Sequence, residues 1–257
     1  MKIKTINLKS RKTRAALLLC ALIIIGIISA AIMHGSSPRA DKPALFSGEG
    51  DYAEGIDVSG HNQNIDWQAV AAATDFAIIR CGYRGWGNGE IVEDELFAYN
   101  LAEADEAGIP FGIYFYSQAT TEAEAREEAR FAVKALGSLS PALPVFIDFE
   151  YAYDSSGNQT GRLFEAGLSA KEAANIINAF CEEVNKAGLL AGVYSSSSIL
   201  NFDVRTTALN KNIYVWVADY NETVSYLGSY DLWQYSKHGS CNGVNSKYVD
   251  VNRGIYK

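Results

Sequence analysis

The chain has 257 residues, 48% of them hydrophobic, with 22 Lys and Arg against 30 Asp and Glu. From Asp51 onward 14 basic residues face 28 acidic ones, a formal charge of −14. This excess of acid argues against a nucleic-acid-binding protein, because such proteins bind phosphates through clustered basic residues.

The N-terminal part differs in character from the rest of the chain. Residues Ala15–Met33 contain no charged side chain over nineteen positions, about the length of helix needed to cross a bilayer. Residues 1–14 are basic and contain no acid. The positive-inside rule therefore predicts a cytoplasmic segment over 1–14, a membrane-spanning signal anchor over 15–33 and an extracytoplasmic catalytic domain. Small residues at 29–31 keep a cleaved signal peptide, and hence a secreted protein, as the alternative.

Residues 34–52 are rich in Ser, Pro, Gly and Ala and predict a flexible linker, which leaves residues 53–257 as the folded domain. In that domain short apolar runs alternate with helical patterns, which is typical of a parallel sheet covered by helices. The pattern predicts eight strands, at Gly55–Val58, Phe76–Cys81, Phe111–Ser117, Val145–Glu150, Leu190–Tyr194, Ile213–Ala218, Leu232–Tyr235 and Tyr248–Val251.

Helices are predicted over Asp94–Ala107, Thr121–Leu136 and Ser169–Ala187, the last with a capping box formed by Ser169 and Glu172. Eight strands with helical crossovers predict an α/β fold, an irregular (β/α) TIM-like barrel. The irregularity is expected at the end, since the last three strands have little helix between them.

The Cys and His residues give no sign of a metal site. Beyond the apolar N-terminal run, Cys81, Cys181 and Cys241 lack the spacing of metal ligands, so we expect no metal. One disulfide and buried free thiols both remain open for them. His61 and His238 follow different strands and do not form a metal set.

Two acids interrupt an apolar strand at Ile147-Asp148-Phe149-Glu150. Side chains alternate along a strand, so Asp148 and Glu150 share one face, at the strand end where barrel enzymes collect their reactive groups. Two adjacent carboxyls repel, and one retains its proton more tightly. Glycoside cleavage needs such a pair, with Glu150 as general acid and Asp148 as charge-stabilising partner. The alternative is a pair that only faces solvent beyond the strand end.

Further polar and aromatic residues are predicted at the ends of the other strands. Asp57 ends the first strand and Asp250 the last, which is its neighbour in a closed barrel, so both are candidate catalytic acids; an Asx turn is the alternative for Asp57. Candidate substrate-binding residues at the other strand ends are Tyr83, Tyr116, Tyr194, Asp219, Trp233 and Gln234. Simple packing of the aromatic rings, and loop capping by Asp219 and Gln234, are the alternatives.

In these motifs the sequence resembles the family 25 glycoside hydrolases, which are lysozyme-type muramidases. The matching segments include Gly55-Ile-Asp57-Val-Ser, Phe76-Ala-Ile-Ile-Arg80, Gly112-Ile-Tyr-Phe-Tyr116, Ile147-Asp148-Phe-Glu150, Trp216-Val-Ala-Asp219, Leu232-Trp-Gln234-Tyr and Val249-Asp250-Val-Asn252. The loop Tyr151–Leu168 has no clear match.

The resemblance implies hydrolysis of the β-1,4 bond between N-acetylmuramic acid and N-acetylglucosamine in peptidoglycan. It implies Glu150 as the catalytic acid with Asp148, Asp57 and Asp250 as the other acids of the site, and no cofactor. The expected partners are peptidoglycan glycan strands and, through the anchor, the membrane; a monomer is expected. The alternatives are a non-catalytic wall-binding domain and a hydrolase of another N-acetylglucosamine polymer.

Overall fold

The structure is a computed structural model that describes residues 42–48 and 50–256. The predicted cytoplasmic segment 1–14 and signal anchor 15–33 lie outside the described residues. Within the described ranges, no helix has the length and apolar character needed to span a bilayer.

Within the described residues, eleven strands form the sheets. They are β1 Tyr52–Val58, β2 Phe76–Arg84, β3 Ile91–Glu93, β4 Phe111–Ser117, β5 Val145–Phe149, β6 Ala152–Tyr153, β7 Gln159–Thr160, β8 Ala191–Ser196, β9 Tyr214–Ala218, β10 Leu232–Gly239 and β11 Val249–Ile255. Eight of them close into a barrel in the order β1-β2-β4-β5-β8-β9-β10-β11, with β11 paired back to β1. Strand β3 pairs antiparallel with the C-terminal residues of β2, and β6 and β7 form a separate hairpin. All eight predicted strands are confirmed as members of the barrel.

The last strand runs against the other seven. β11 is antiparallel to both β10 and β1, whereas the remaining neighbours in the barrel are parallel. Asp250 therefore stands at the start of its strand, not at its end as predicted. Because β11 is reversed, its start lies at the carboxyl ends of the parallel strands, and Asp250 is in register with Asp57.

The helices lie between the parallel strands. They are α1 Trp67–Ala71, α2 Phe97–Glu106, α3 Glu122–Ala135, α4 Arg162–Glu165, α5 Ala170–Lys186 and α6 Ser197–Phe202, with 3-10 turns at Gly60–Asn62 and Thr206–Ala208. The three predicted helices are confirmed as α2, α3 and α5, and Ser169 caps α5 through the predicted capping box with Glu172. In the described chain, loops without helix join β9 to β10 and β10 to β11, which confirms the expected irregular end of the barrel.

Two apolar clusters hold the barrel together. One packs the outer faces of the strands against the helices. The other fills the barrel interior and includes Phe76, Phe146, Tyr214, Trp216 and Leu232. The backbone of β8 approaches this filling so closely that a Cβ on Gly192 would lie 2.4 Å from the ring of Phe146. The barrel is therefore a packed core, and its chemistry is confined to the ends.

The described end of the predicted linker packs on the barrel. The ring of Phe46 lies 4.8 Å from that of Phe76, and Tyr214 donates a 2.9 Å hydrogen bond to the carbonyl of Pro43. Lys42 forms an ion pair with the buried Asp231. These residues cover the amino ends of the parallel strands, so residues 42–48 are not a free tether. Burial of the Phe46 ring is the physical reason.

The three cysteines in the described part of the chain form no disulfide. Cys81, Cys181 and Cys241 are free, and the first two are fully buried. Of the two alternatives left open for them, free thiols are what the structure contains.

Candidate active site

Four acids meet at the carboxyl ends of the parallel strands. Asp57 lies near the end of β1, Asp148 near the end of β5 with Glu150 directly after it, and Asp250 at the start of β11. They line two adjoining cavities of about 820 and about 310 Å³. Asp148, Glu150 and Asp250 line both cavities, whereas Asp57 lines the smaller one. We call the two cavities together the acidic groove.

Asp57 is held by two side-chain amides. Gln234 Nε2 and Asn252 Nδ2 donate hydrogen bonds of 2.9 and 2.8 Å to Asp57 Oδ2. The oxygen of the Gln234 amide accepts hydrogen bonds from the hydroxyls of Tyr194 and Tyr220, at 2.9 and 2.8 Å. These donors fix the orientation of the Gln234 amide, so that its nitrogen faces the carboxylate.

The second amide is fixed in the same way. Trp216 Nε1 donates a 2.8 Å hydrogen bond to the side-chain oxygen of Asn252. Burial and the neighbouring Asp250 nevertheless raise the pKa of Asp57 to about 8, although the hydrogen bonds from Asn252 and Gln234 act to lower it. Asp57 is thus a rigid acid at the floor of the groove.

Asp148 is buried with an unpartnered oxygen. Its side chain is 4% exposed, and Oδ1 has no hydrogen-bond partner among the described residues. Burial, followed by the charges of Glu150 and Asp57, raises the pKa of Asp148 well above its usual value, against the opposing effect of Arg80. A buried carboxyl oxygen without a partner is costly, so Asp148 Oδ1 can accept a hydrogen bond from a donor that enters the groove.

Glu150 is half-buried at the mouth of the groove. Burial and the charge of Asp250 raise its pKa to about 7, while Lys237 acts to lower it. Burial also raises the pKa of Asp250 to about 6, opposed by Lys237 and His238. Glu150 therefore holds a proton close to neutral pH, as a general acid must.

Side-chain hydrogen bonds from neighbouring elements fix the backbone around Glu150. The buried Gln118 donates a 3.1 Å hydrogen bond to the carbonyl of Glu150, and its side-chain oxygen accepts one of 3.3 Å from the amide of Leu163. Ser195 donates a 2.6 Å hydrogen bond to the carbonyl of Phe149. The end of β5 and the following loop are thereby fixed to the barrel.

Four of the six predicted binding residues line the groove. Tyr83 and Tyr116 line the larger cavity, and Tyr194 and Gln234 line the smaller one. The other two residues, Asp219 and Trp233, belong to neither lining.

The contacts of Asp219 are those of the loop-capping alternative. Its carboxylate accepts hydrogen bonds from Ser197, Ser225 and Asn221. Burial acts to raise the pKa of Asp219, but these hydrogen bonds outweigh it and hold the pKa below its usual value. Trp233 packs in the outer core and donates a 2.6 Å hydrogen bond to the carbonyl of Asp219. Strand alternation explains this, since Gln234 faces the groove and its neighbour must face outward.

Several groove residues were missed by the sequence reading. Tyr114 lines the groove from the same face of β4 as Tyr116, and the two-residue spacing was an available signal. Tyr153, Tyr220 and Lys237 come from a hairpin, a loop and a bulged strand. For these three the sequence has no periodic signal.

The unmatched loop Tyr151–Leu168 reaches the acidic groove through Tyr153. It contains the β6–β7 hairpin and helix α4. The carboxylate of Asp154 closes the hairpin turn by accepting hydrogen bonds of 2.8 and 2.9 Å from the amides of Ser156 and Asn158. Tyr153, 62% exposed, stands on this hairpin at the smaller cavity. Within residues 42–48 and 50–256, no group of His, Cys, Asp and Glu is arranged to bind a metal ion.

Comparison with known proteins supports the resemblance seen in the sequence. The family model of glycosyl hydrolases family 25 matches residues 56–244. Lysozyme M1 of Streptomyces globisporus is 28% identical over 229 residues, which cover 85% of this chain and 72% of that protein. The uncharacterized protein YegX of Escherichia coli O157:H7 is 26% identical over 272 residues, covering 96% and 92% of the two chains.

Solved structures agree with this assignment. The modular autolysin LytC of Streptococcus pneumoniae has a TM-score of 0.66 and 26% identity over 79% of this chain, which spans only 46% of LytC. The lysozyme of Streptomyces coelicolor has a TM-score of 0.62 and 25% identity, over 80% of this chain and 93% of that one. The family match covers most of the folded domain, and the chain therefore belongs to glycosyl hydrolases family 25, as a glycoside hydrolase of the lysozyme type.

Proposed function

We propose that this protein hydrolyses peptidoglycan at the β-1,4 bond between N-acetylmuramic acid and N-acetylglucosamine, with Glu150 as general acid and Asp148 as its charge-stabilising partner. The observation that carries the proposal is the pair itself. Two carboxyls share one face at the end of β5, inside a groove with two further acids, and the pKa of Glu150 is raised to about 7.

Glu150 supplies the proton for bond cleavage. Its half-buried carboxyl donates the proton to the glycosidic oxygen as the bond between that oxygen and the anomeric carbon breaks. The departing sugar leaves as a neutral alcohol, and Glu150 is left as a carboxylate. That carboxylate then takes a proton from the water that attacks the anomeric carbon, which restores the starting state.

Asp148 stabilises the positive charge that develops on the sugar. We propose that the acetamido oxygen of the substrate attacks the anomeric carbon and forms a cyclic cation. Attack of water on this cation then gives a product in which the anomeric carbon retains its original configuration. The unpartnered Asp148 Oδ1 supports this role, because a donor on the substrate would satisfy it. The carboxylate form of Asp148 stabilises this cation, and it does so most strongly in the transition state, where the positive charge develops.

Asp57 and Asp250 assist without direct proton transfer. Asp57 is fixed by Gln234 and Asn252, and because its pKa is raised to about 8 it contributes a rigid, mostly protonated carboxyl at the floor of the groove at neutral pH. The charge of Asp250 helps to keep Glu150 protonated. The tyrosines of the groove, among them Tyr83, Tyr116 and Tyr194, are proposed to contact the sugar rings and hydroxyls.

We also propose that the domain acts outside the cytoplasm, anchored through residues 15–33. The support for this is the uncharged run of nineteen residues at Ala15–Met33, preceded by basic residues alone. Determination of the N-terminal residue of the native protein tests this. An N-terminus near Ile32 would replace the anchor by secretion.

The test of the activity is incubation of the purified protein with insoluble peptidoglycan, followed by mass spectrometry of the soluble products. Wild type is expected to release fragments ending in a reducing N-acetylmuramic acid, and Glu150→Gln is expected to release almost none. Glu222→Gln, an exposed residue away from the groove, serves as the matched control. Binding of wild type to the insoluble wall without release of fragments would show a wall-binding domain instead, and products from chitin-like polymers alone would show another substrate.

A further inference from the structure

Lys237 lies where the two cavities of the acidic groove meet. It follows a bulge in β10 between Gln234 and Ser236, and it lines both cavities. Its side chain is exposed, and Nζ lies 5.5 Å from the centre of the Tyr220 ring. The bulge turns the strand so that a residue beyond the buried Gln234 still faces the groove.

The ammonium group of Lys237 is not neutralised by an ion pair within the described chain. The other permanent cation of the groove is Arg80, whose guanidinium donates a 2.7 Å hydrogen bond to the buried Asp94. Lys237 has no carboxylate at ion-pair distance among residues 42–48 and 50–256. All three of its donors are therefore available to a ligand in the groove.

The substrate class contains one matching group. On the proposed function, the glycan alternates an uncharged N-acetylglucosamine with a muramic acid whose lactyl ether ends in a carboxyl. That carboxyl is free where the stem peptide is absent, and the stem peptide itself carries carboxyls where it is present. An ammonium beside the cleavage site forms an ion pair with a carboxylate, whereas the neutral sugar offers it hydrogen bonds alone.

We propose that Lys237 is a specificity-determining residue that binds a carboxylate of the glycan substrate. This proposal rests on the proposed function and deepens it, because it makes glycan strands with free carboxylates the preferred substrate. If the lactyl carboxylate is the ligand, an amidase-type reaction that removes stem peptides must supply the substrate. If a stem-peptide carboxylate is the ligand, no such earlier step is needed.

A purely electrostatic effect of Lys237 on the catalytic acids is distinguishable from this role. Lys237 acts to lower the pKa of both Glu150 and Asp250, so its removal alters the pH profile on every glycan equally. If Lys237 recognises a substrate carboxylate, its removal changes the ratio of kcat/KM on the charged glycan to kcat/KM on the amidated glycan, measured at one pH. The ratio is therefore the informative measurement.

The experiment uses the full-length protein and two pairs of soluble glycan. One pair is peptide-free glycan with its lactyl carboxylates either free or converted to amides, and the other is peptide-bearing glycan with its stem carboxylates either free or amidated. We expect wild type to cleave the charged member of one pair with roughly fivefold higher kcat/KM, the scale of a solvent-accessible ion pair. The pair that shows the preference identifies the carboxylate.

Three variants complete the test. Lys237→Met is expected to lose the preference while it still cleaves the amidated glycans, and Lys237→Arg is expected to keep it. Lys211→Met is the matched control, since Lys211 is exposed and does not line the groove. The proposal is overturned if wild type shows no preference in either pair, or if Lys237→Met retains the preference or loses activity equally on all glycans. Failure of wild type to cleave any of the four glycans would instead overturn the proposed function, and this proposal with it.

Discussion

Replacing the proposed general acid should make the protein more stable at alkaline pH. The pKa of Glu150 is raised from 4.5 to about 7 by burial and by Asp250. An acid whose pKa is higher in the folded state than in the unfolded one binds its proton more tightly when folded. The folded state therefore loses stability as pH rises from 4.5 to about 7, and the loss remains above that range.

The size of this effect follows from the shift. One pKa unit corresponds to about 1.4 kcal/mol, so the shift corresponds to roughly 3 kcal/mol for a fully buried group. Glu150 is half-buried, and solvent screens part of the repulsion, so we expect about 1–2 kcal/mol. The variant Glu150→Gln has no charge to lose, and its free energy of unfolding should exceed that of wild type by this amount at pH 8. Below pH 4 the two proteins should be nearly equal.

The assay is urea denaturation of both proteins at pH 4 and pH 8, with Glu222→Gln as the control that leaves the groove intact. The informative quantity is the change in the stability difference between the two pH values. If that difference is the same at both, or if Glu150→Gln is the less stable protein at pH 8, Glu150 is not an acid held in its protonated form by the groove.

Three further predictions concern the groove and the barrel. Tyr153→Ala should raise KM for glycan about three- to tenfold with little change in kcat, the scale of one aromatic contact; steady-state kinetics check this, and a fall in kcat alone would contradict it. Phe46→Ala should lower the free energy of unfolding by about 2–3 kcal/mol, because the ring is partly buried against Phe76. It should leave kcat/KM of the folded protein unchanged. An unchanged midpoint of urea denaturation would show that residues 42–48 do not stabilise the barrel. The activity of wild type should fall as pH rises above about 7, since Glu150 then loses its proton. Lys237→Met should move this fall to higher pH, because Lys237 acts to lower the pKa of Glu150. A pH profile that does not move would contradict this electrostatic effect of Lys237.

The sequence predicted the barrel because buried strands and amphipathic helices have different periods. β4 is predicted at its observed bounds, and α5 begins where the capping box of Ser169 places it. The direction of β11 was not predictable, because alternation along a strand is the same in both directions. The expected meeting of Asp57 with Asp250 is nevertheless found, because strand reversal and the start-of-strand position of Asp250 compensate each other.

The groove was predictable only where a strand supplies its residues. Alternation of side chains along β5 predicts that Asp148 and Glu150 face the groove together. The same rule applied to β10 places Gln234 and its neighbour Trp233 on opposite faces, so the two residues cannot both line the groove. Lys237 enters through a bulge and Tyr153 through a hairpin, and neither has a short-range pattern. The linker prediction did not use Phe46, an apolar residue in a polar stretch, whose ring is partly buried against the barrel core.

The role of Glu150 as general acid is tested most directly by varying the leaving group. The rate of Glu150→Gln relative to wild type is measured on peptidoglycan glycan and on a dinitrophenyl β-glycoside of the N-acetylglucosaminyl-N-acetylmuramic acid disaccharide, whose phenol departs without a proton. We predict a loss of about 10²- to 10⁴-fold on the glycan and a rate close to that of wild type on the aryl glycoside. An equal loss on both substrates, or no loss on the glycan, would contradict proton donation by Glu150.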